Sequence, residues 1–263
     1  TQLEIKGCAA VLYLNAVPIT RLTPETVAGE NCAVQQWLVP GENKLELLVE
    51  PGPTPSLARS PSFELERREM TAVARLLKFK EGDDGTAQSG TMLAEVRFEW
   101  DAEKPNTLTF PQSVFTSTQL GSSFGPWAWQ SYPDLVLDQS LIDEAQAILL
   151  ELDAAVRGNH ADRIWQLTEL QMLDTARAYP ALTEAYLRAD ITDMLQVFGV
   201  DGDPTLPRDP ANQDFRLVAG AKLLELCDKD FRPSFRLRDR RRGQIVPFPT
   251  FLARVGKDLR IVR

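Results

Sequence analysis

The sequence predicts an α+β protein overall, an N-terminal all-β sandwich-like domain followed by an α+β domain of three helices and an antiparallel sheet. Three observations carry this. Apolar residues alternate in short runs up to Trp100, they recur at helical spacing from Asp138 to Phe198, and short alternating runs return from Phe215. A chain of 263 residues with 43% hydrophobic content has room for one large domain or two modest ones. The expected divisions are a sandwich-like domain over 1–120, an aromatic interdomain segment over 121–137 and the α+β domain over 138–263.

The first half is built from strand patterns. "LEIKGCAAVLYLNAVPI" is apolar and β-branched, and "NCAVQQWLVPGENKLELLVEPG" sets the turn PGEN between two apolar runs, with Leu45, Leu47 and Val49 alternating. "TAVARLLKFKEGDDGTAQSGTMLAEVRFEWD" reads as a long hairpin, in which EGDDG opens the turn and Leu93, Val96, Phe98 and Trp100 follow. "EPGPTPSLARSPS" is too rich in proline for a central strand and is expected to be a surface connection. Asn15 after an apolar strand, and then "WLVPGENKLEL", resembles the strand-turn-strand of carbohydrate-binding-like and immunoglobulin-like β-sandwiches. The resemblance covers about fifty residues and implies a fold only, because the turn chemistry explains the motif without a ligand. A carbohydrate-binding role would require Trp37 or Trp100 to face solvent.

The second half changes period. Leu141, Ala145, Ile148, Leu149, Leu152, Ala155 and Val156 form one helical face that ends at Gly158. A second helix starts near Asn159, carries Ala161, Trp165, Thr168, Met172, Ala176 and Tyr179 on its stripe, and stops at Pro180. A third, from about Leu182, is expected to bury Tyr186, Ile191, Met194, Leu195 and Phe198 before Gly199 closes it. The runs "FRLVAGAKLLELCD", "SFRLRDR", "IVPFPTFLARV" and "LRIVR" then supply about four short antiparallel strands. This order of elements resembles the nuclear transport factor 2-like cone. The resemblance implies a sheet wrapped on helices, and many such cones hold a catalytic His or Asp, for which no motif is matched here.

"GSSFGPWAWQSYPDL" concentrates Phe124, Trp127, Trp129 and Tyr132 between the two halves. It is far more aromatic than a flexible linker. The leading expectation is a seam between domains; a surface that binds a partner protein or a glycan, and plain core burial, are the alternatives.

Charge and composition exclude several functions. A net charge of −8 disfavours a general nucleic-acid binder, although the segment from Lys229 to Arg263 is strongly basic. No run of apolar residues is long enough for a membrane span. Cys8, Cys32 and Cys227 lack any C-x-x-C pair, which argues against a disulfide framework and a structural zinc site and for reduced thiols in the cytoplasm. A Cys8–Cys32 bridge between neighbouring strands, and a leader ahead of Thr1, stay open as alternatives.

Catalytic motifs are matched poorly. "GSSFG" fits G-x-S-x-G with Ser123 as nucleophile, yet Pro126 interrupts the helix such an elbow needs and His160 is the sole histidine, too close in sequence. His160 and Asp162 cannot make a metal site without further ligands, and "DGD" at 201–203 fails the EF-hand spacing. No Gly-rich phosphate loop is present. The carboxylates of the helices read as a solvated acidic face, or as a surface for a basic partner, and Asp174 is expected to pair locally with Arg177 at i+3. In "RLRDRRRGQ", Arg236 and Arg238 share one face, and Arg240, Arg241 and Arg242 sit at a turn closed by Gly243. That run reads as a counterpart to the acidic helices or as an anion-binding surface, and lacks the interleaved aromatics of an RNA platform.

No catalytic residue, metal or cofactor is predicted. The expected function is a non-catalytic binding or interaction protein with a protein partner, an accessory or immunity-type protein of a bacterium being one form. The alternative is a small-molecule binder or enzyme using a cavity of the α+β domain, with Trp165, Tyr179 and Tyr186 as walls and Asp174 or Arg236 as the polar contact. The candidate binding residues are therefore Trp127, Trp129, Tyr132, Trp165, Asp174, Tyr179, Tyr186, Arg236 and Arg238.

Overall fold

The computed structural model describes residues 1–23, 29–50, 69–80, 89–101, 110–121, 125–198, 212–229, 231–239 and 244–263. The turn EGDDG, the proline-rich connection after Glu50, Ser123 and Phe124, Gly199, the DGD run and Arg240–Gly243 lie outside the described residues. The chain divides into two compact units, Thr1–Pro126 and Trp127–Arg263.

Among its described residues, the first unit is all-β. Its strands are β1 (Gln2–Lys6), β2 (Ala9–Leu14), β3 (Val17–Leu22), β4 (Gly29–Asn31), β5 (Gly41–Glu50), β6 (Met70–Lys78), β7 (Thr91–Trp100) and β8 (Gln112–Leu120). They form two four-stranded antiparallel sheets, in the orders β4-β1-β6-β7 and β3-β2-β5-β8. On β5 the alternation read from the sequence is the alternation of burial, with Leu45, Leu47 and Val49 buried; on β7 Val96, Phe98 and Trp100 are buried as read, but the period of two puts Ala94 rather than Leu93 on that face. Each fully buried leucine of this core, such as Leu3, Leu12, Leu14, Leu45 or Leu47, contributes roughly 1.5–3 kcal/mol.

The first apolar run forms three strands. It breaks at Gly7, whose φ of 68° and approach to the Glu69 carbonyl leave no room for a Cβ. It then reverses at Asn15–Ala16, both with positive φ, the twist a two-residue hairpin needs. PGEN, expected as a turn between two strands, instead opens β5 after a 3-10 turn at Gln35–Trp37, and Asn15 ties this hairpin to it. Its Nδ2 donates to Trp37 O (2.8 Å) and Asn43 Oδ1 (2.9 Å), and its Oδ1 accepts from Lys44 N (3.0 Å). Asn43, fully buried, donates to Val39 O (2.7 Å) and accepts from Val39 N (2.9 Å). The Asn15…PGEN pattern is thus a satisfied polar knot under the strands.

The second unit holds α1 (Gln139–Arg157), α2 (Ala161–Ala178) and α3 (Glu184–Phe198), then β9 (Gln213–Val218), β10 (Leu223–Asp228), β11 (Phe235–Asp239), β12 (Gln244–Phe248), β13 (Phe251–Val255) and β14 (Asp258–Ile261). One antiparallel sheet has the order β14-β13-β10-β9, and β11 and β12 form a two-stranded ribbon. The Asp138 carboxylate caps α1 by accepting from Leu141 N (2.9 Å). Leu149, Leu152, Ile164, Trp165, Leu187, Ile191 and Leu195 of the helices close over Leu224, Leu226, Leu252 and Ile261 of the sheet. The run "FRLVAGAKLLELCD" is a hairpin of two strands, which together with the separation of "IVPFPTFLARV" into β12 and β13 brings the described strands of this unit to six. On α3 Ile191 and Leu195 face the core as expected and Met194 and Phe198 pack against it half-buried, but Leu187 takes the first place on that face and Tyr186 points outward.

Candidate functional site

Among the described residues no helix is long and apolar enough to cross a membrane, and no three His, Cys, Asp or Glu side chains gather into a metal-holding group. None of the three cysteines forms a disulfide. Cys8 is buried and donates to Thr71 O (3.3 Å). Trp37 and Trp100, which a glycan platform would need at the surface, are buried in the first unit.

What holds the tryptophans of "GPWAWQSYPDL" is, in large part, the second unit itself. Trp127 is extended and leads into a short 3-10 turn, Ala128–Ser131, closed by Trp127 N donating to Gln130 Oε1 (2.9 Å). Leu135 N donates to Ala221 O (2.8 Å), and Lys222 Nζ donates to Tyr132 O (3.0 Å), which stitches the segment to the β9–β10 turn. Trp127 and Trp129 are both buried, so neither ring offers the exposed surface considered from sequence.

Around Trp127 the structure brings together four of the candidate residues. The Arg263 and Arg177 guanidinium carbons lie 5.4 Å and 5.2 Å from the indole centroid. Arg263 Nη2 sits 3.1 Å from Asp174 Oδ2. Tyr132 and Tyr179 stand within electrostatic reach of Arg263. Burial pushes the Asp174 carboxyl up while Arg263 and Arg177 pull it back, and burial lowers Arg263 to about 10 while Asp174 holds it up. Burial and the nearby Asp174 charge raise the Tyr132 phenol. Sequence spacing pointed to Arg177 as the ion-pair partner of Asp174; the close contact is Arg263, with Arg177 turned over the indole. No sequence signal could find Arg263, because it reaches Asp174 only after β13 and β14 bring the chain back under α2. Its backbone is held there by Phe251 N donating to Arg263 O (2.6 Å).

The remaining candidates are scattered. Trp165 is buried beneath Arg188, whose guanidinium carbon lies 3.8 Å from the ring centroid. Arg236 lies 3.5 Å from Asp228 Oδ2, and Arg238, exposed, is on the same ribbon. Tyr186 is 55% exposed.

A second ionisable group escaped sequence reading. On the sheet face turned away from the helices, the register sets Arg216 opposite Glu225 and Asp214 opposite Cys227. Arg216 donates to Glu225 and stacks over Phe231 at 3.9 Å. Burial pushes the Glu225 carboxyl up to about 7 against the pull of Arg216, and burial with the neighbouring Glu225 raises the Cys227 thiol. A raised thiol is a poor nucleophile, so Cys227 packs rather than reacts.

Three arginines of the basic tail, and Arg216 ahead of it, pair within their own unit. Arg254 bridges to Glu144 of α1 (2.6 Å), Arg263 to Asp174, Arg216 to Glu225 and Arg236 to Asp228. Many helix carboxylates are also matched: Asp153 with Arg157, Glu151 with Arg163, and Glu184 with Arg188. Asp143, Asp162 and Glu169 join no ion pair among the described residues, and the outward line of α3 carries two more such carboxylates. Tyr186, Asp190, Asp193 and Val197 follow one another at i, i+4, i+7 and i+11, all exposed, and neither aspartate joins an ion pair among the described residues.

Comparison with protein-family models, with curated proteins and with solved structures finds no match.

Proposed function

We propose that the protein is a non-catalytic interaction protein whose second unit presents the outward line of α3 to a basic protein partner. The observation that carries this is the composition of that line, an exposed tyrosine and an exposed valine flanking two carboxylates that no cation among the described residues pairs with. Tyrosine brings large contact area at low entropic cost, and unneutralised carboxylates steer a cationic partner and set its register. An accessory or immunity-type role, in which an acidic protein covers a basic surface of another, fits this chemistry. A ligand-binding or enzymatic role for the same unit would draw on Asp174, Arg263, Glu225 and Arg216, groups already engaged with one another.

The test is affinity capture from native lysate with the intact protein and with a Tyr186→Ser, Asp190→Lys, Asp193→Lys variant. These side chains are exposed, so stability stays within about 0.5 kcal/mol per site. The expected result is a stoichiometric basic partner, released by salt and missing from the variant capture. Equal recovery by both proteins, or no partner for either, overturns the reading.

A further inference from the structure

The groups around Trp127 carry more positive charge than they neutralise. The Asp174 carboxylate feels Arg263, two residues beyond β14, and Arg177, its neighbour at i+3 on α2. The Tyr132 phenol lies within electrostatic reach of Asp174, of Arg263 and also of Arg260 on β14. Three guanidiniums thus share one carboxylate. Only Arg263 comes close enough to Asp174 for an ion pair (3.1 Å). Arg177 rests over the Trp127 indole at 5.2 Å, and among the described residues neither Arg177 nor Arg260 joins an ion pair. Elsewhere in the tail Arg236 and Arg254 each face a carboxylate, and the whole chain carries −8, so the excess belongs to this place rather than to the composition. Accessibility is graded across the group: Trp127 and Arg263 are buried, Tyr132 and Arg260 half-buried, and Arg177 exposed. An anion arriving from water meets Arg177 and Arg260, with the charge of Arg263 already fixed by Asp174 and by the backbone bond from Phe251 N (2.6 Å).

We propose that this group is an oxyanion-binding site and that its ligand is a dianionic phosphate, free or as a monoester. The charges select the class. Two guanidiniums remain once Asp174 is matched, and a phosphate monoester carries about −1.5 to −2 near neutral pH. A carboxylate is satisfied by one guanidinium fork. A tetrahedral phosphate accepts from several directions at once, which suits arginines brought from α2 and from β14 and the hydroxyl of Tyr132. The net charge of −8 disfavours a polyanion such as nucleic acid, so the phosphate is that of a small molecule.

Isothermal titration calorimetry on the full chain at fixed ionic strength tests this, with inorganic phosphate and phenyl phosphate as probes. Both are expected to bind one to one, and sodium chloride to give no signal. Arg177→Gln and Arg260→Gln are each expected to weaken binding at least about tenfold, the loss of one charge-assisted contact. Neither arginine is buried, so both variants keep the wild-type circular dichroism. Arg188→Gln removes a guanidinium stacked on Trp165 of the same unit and leaves the affinity unchanged. Tighter binding of phenyl phosphate assigns the site to esters; equal or tighter binding of inorganic phosphate assigns it to the free ion. No saturable binding of either probe below about 10 mM, full affinity in either arginine variant, or an equal loss with Arg188→Gln overturns the inference. The α3 substitutions leave these arginines untouched, so failure of either proposal is read independently.

Discussion

Asp174→Asn removes one charge from a pair that the second unit has taken almost wholly out of water. The Arg263 side chain is 4% exposed and that of Asp174 17%, with 3.1 Å between Nη2 and Oδ2. At an effective dielectric near 20, unit charges about 4 Å apart attract by about 4 kcal/mol. The asparagine keeps an oxygen that can accept from Arg263, and removing a carboxylate whose ionised form burial disfavours returns part of that energy. The expected loss is therefore about 2–3 kcal/mol, below the 3–5 typical of a buried pair broken outright. Glu144→Gln, at the more exposed bridge to Arg254, is expected to cost less than ~1 kcal/mol. Urea unfolding followed by helical circular dichroism reports on the second unit, the only one with α-helices among the described residues. A cycle with Arg263→Met isolates the coupling between the two side chains. If Asp174→Asn costs no more than Glu144→Gln, or the coupling is below ~0.5 kcal/mol, the buried pair does not hold this node together.

Two further outcomes follow from the cluster on β9 and β10. The folded Glu225 carboxyl, at about 7, lies above its ordinary 4.5, so between those values the folded state holds a proton that the unfolded chain has released. The stability it contributes is complete below pH 4.5 and is lost as pH rises through about 7; the wild type's advantage over Glu225→Gln should shrink across that window in pH-dependent urea melts, and an advantage that grows refutes the assignment. Cys227 and Cys8 are fully buried, and the Cys227 thiol is raised, so iodoacetamide at mildly alkaline pH should leave both unmodified in the native protein and label them only after denaturation. Mass mapping that finds native Cys227 labelled as fast as a free thiol contradicts that environment.

Period two and period 3.6 are visible in any window of the chain, which is why the class, the hairpins and the three helices could be read before the structure. Local backbone rules did equally well at Asp138 and Pro180, but not at PGEN, where Gly41–Asn43 open β5 and the run before them is a 3-10 turn, Gln35–Trp37, rather than a strand. Where two readings share a period, the sequence was silent. Tyr186 and Leu187 sit one step apart on α3, and only the neighbouring α2 and β11 decide which of them faces inward. The aromatic run fared similarly: burial of Trp127 depends on Arg177 and Arg263 arriving from α2 and from the last strand.

The sequence by itself determined the elements and their order, because those follow from side-chain periodicity and backbone preference within a few residues. Only tertiary structure decided which charges meet. Arg263 reaches Asp174, Arg254 reaches Glu144, and Arg216 faces Glu225, through strand register and chain return rather than spacing. Burial and charge pairing are properties of the whole packed chain, and a local pattern does not encode them.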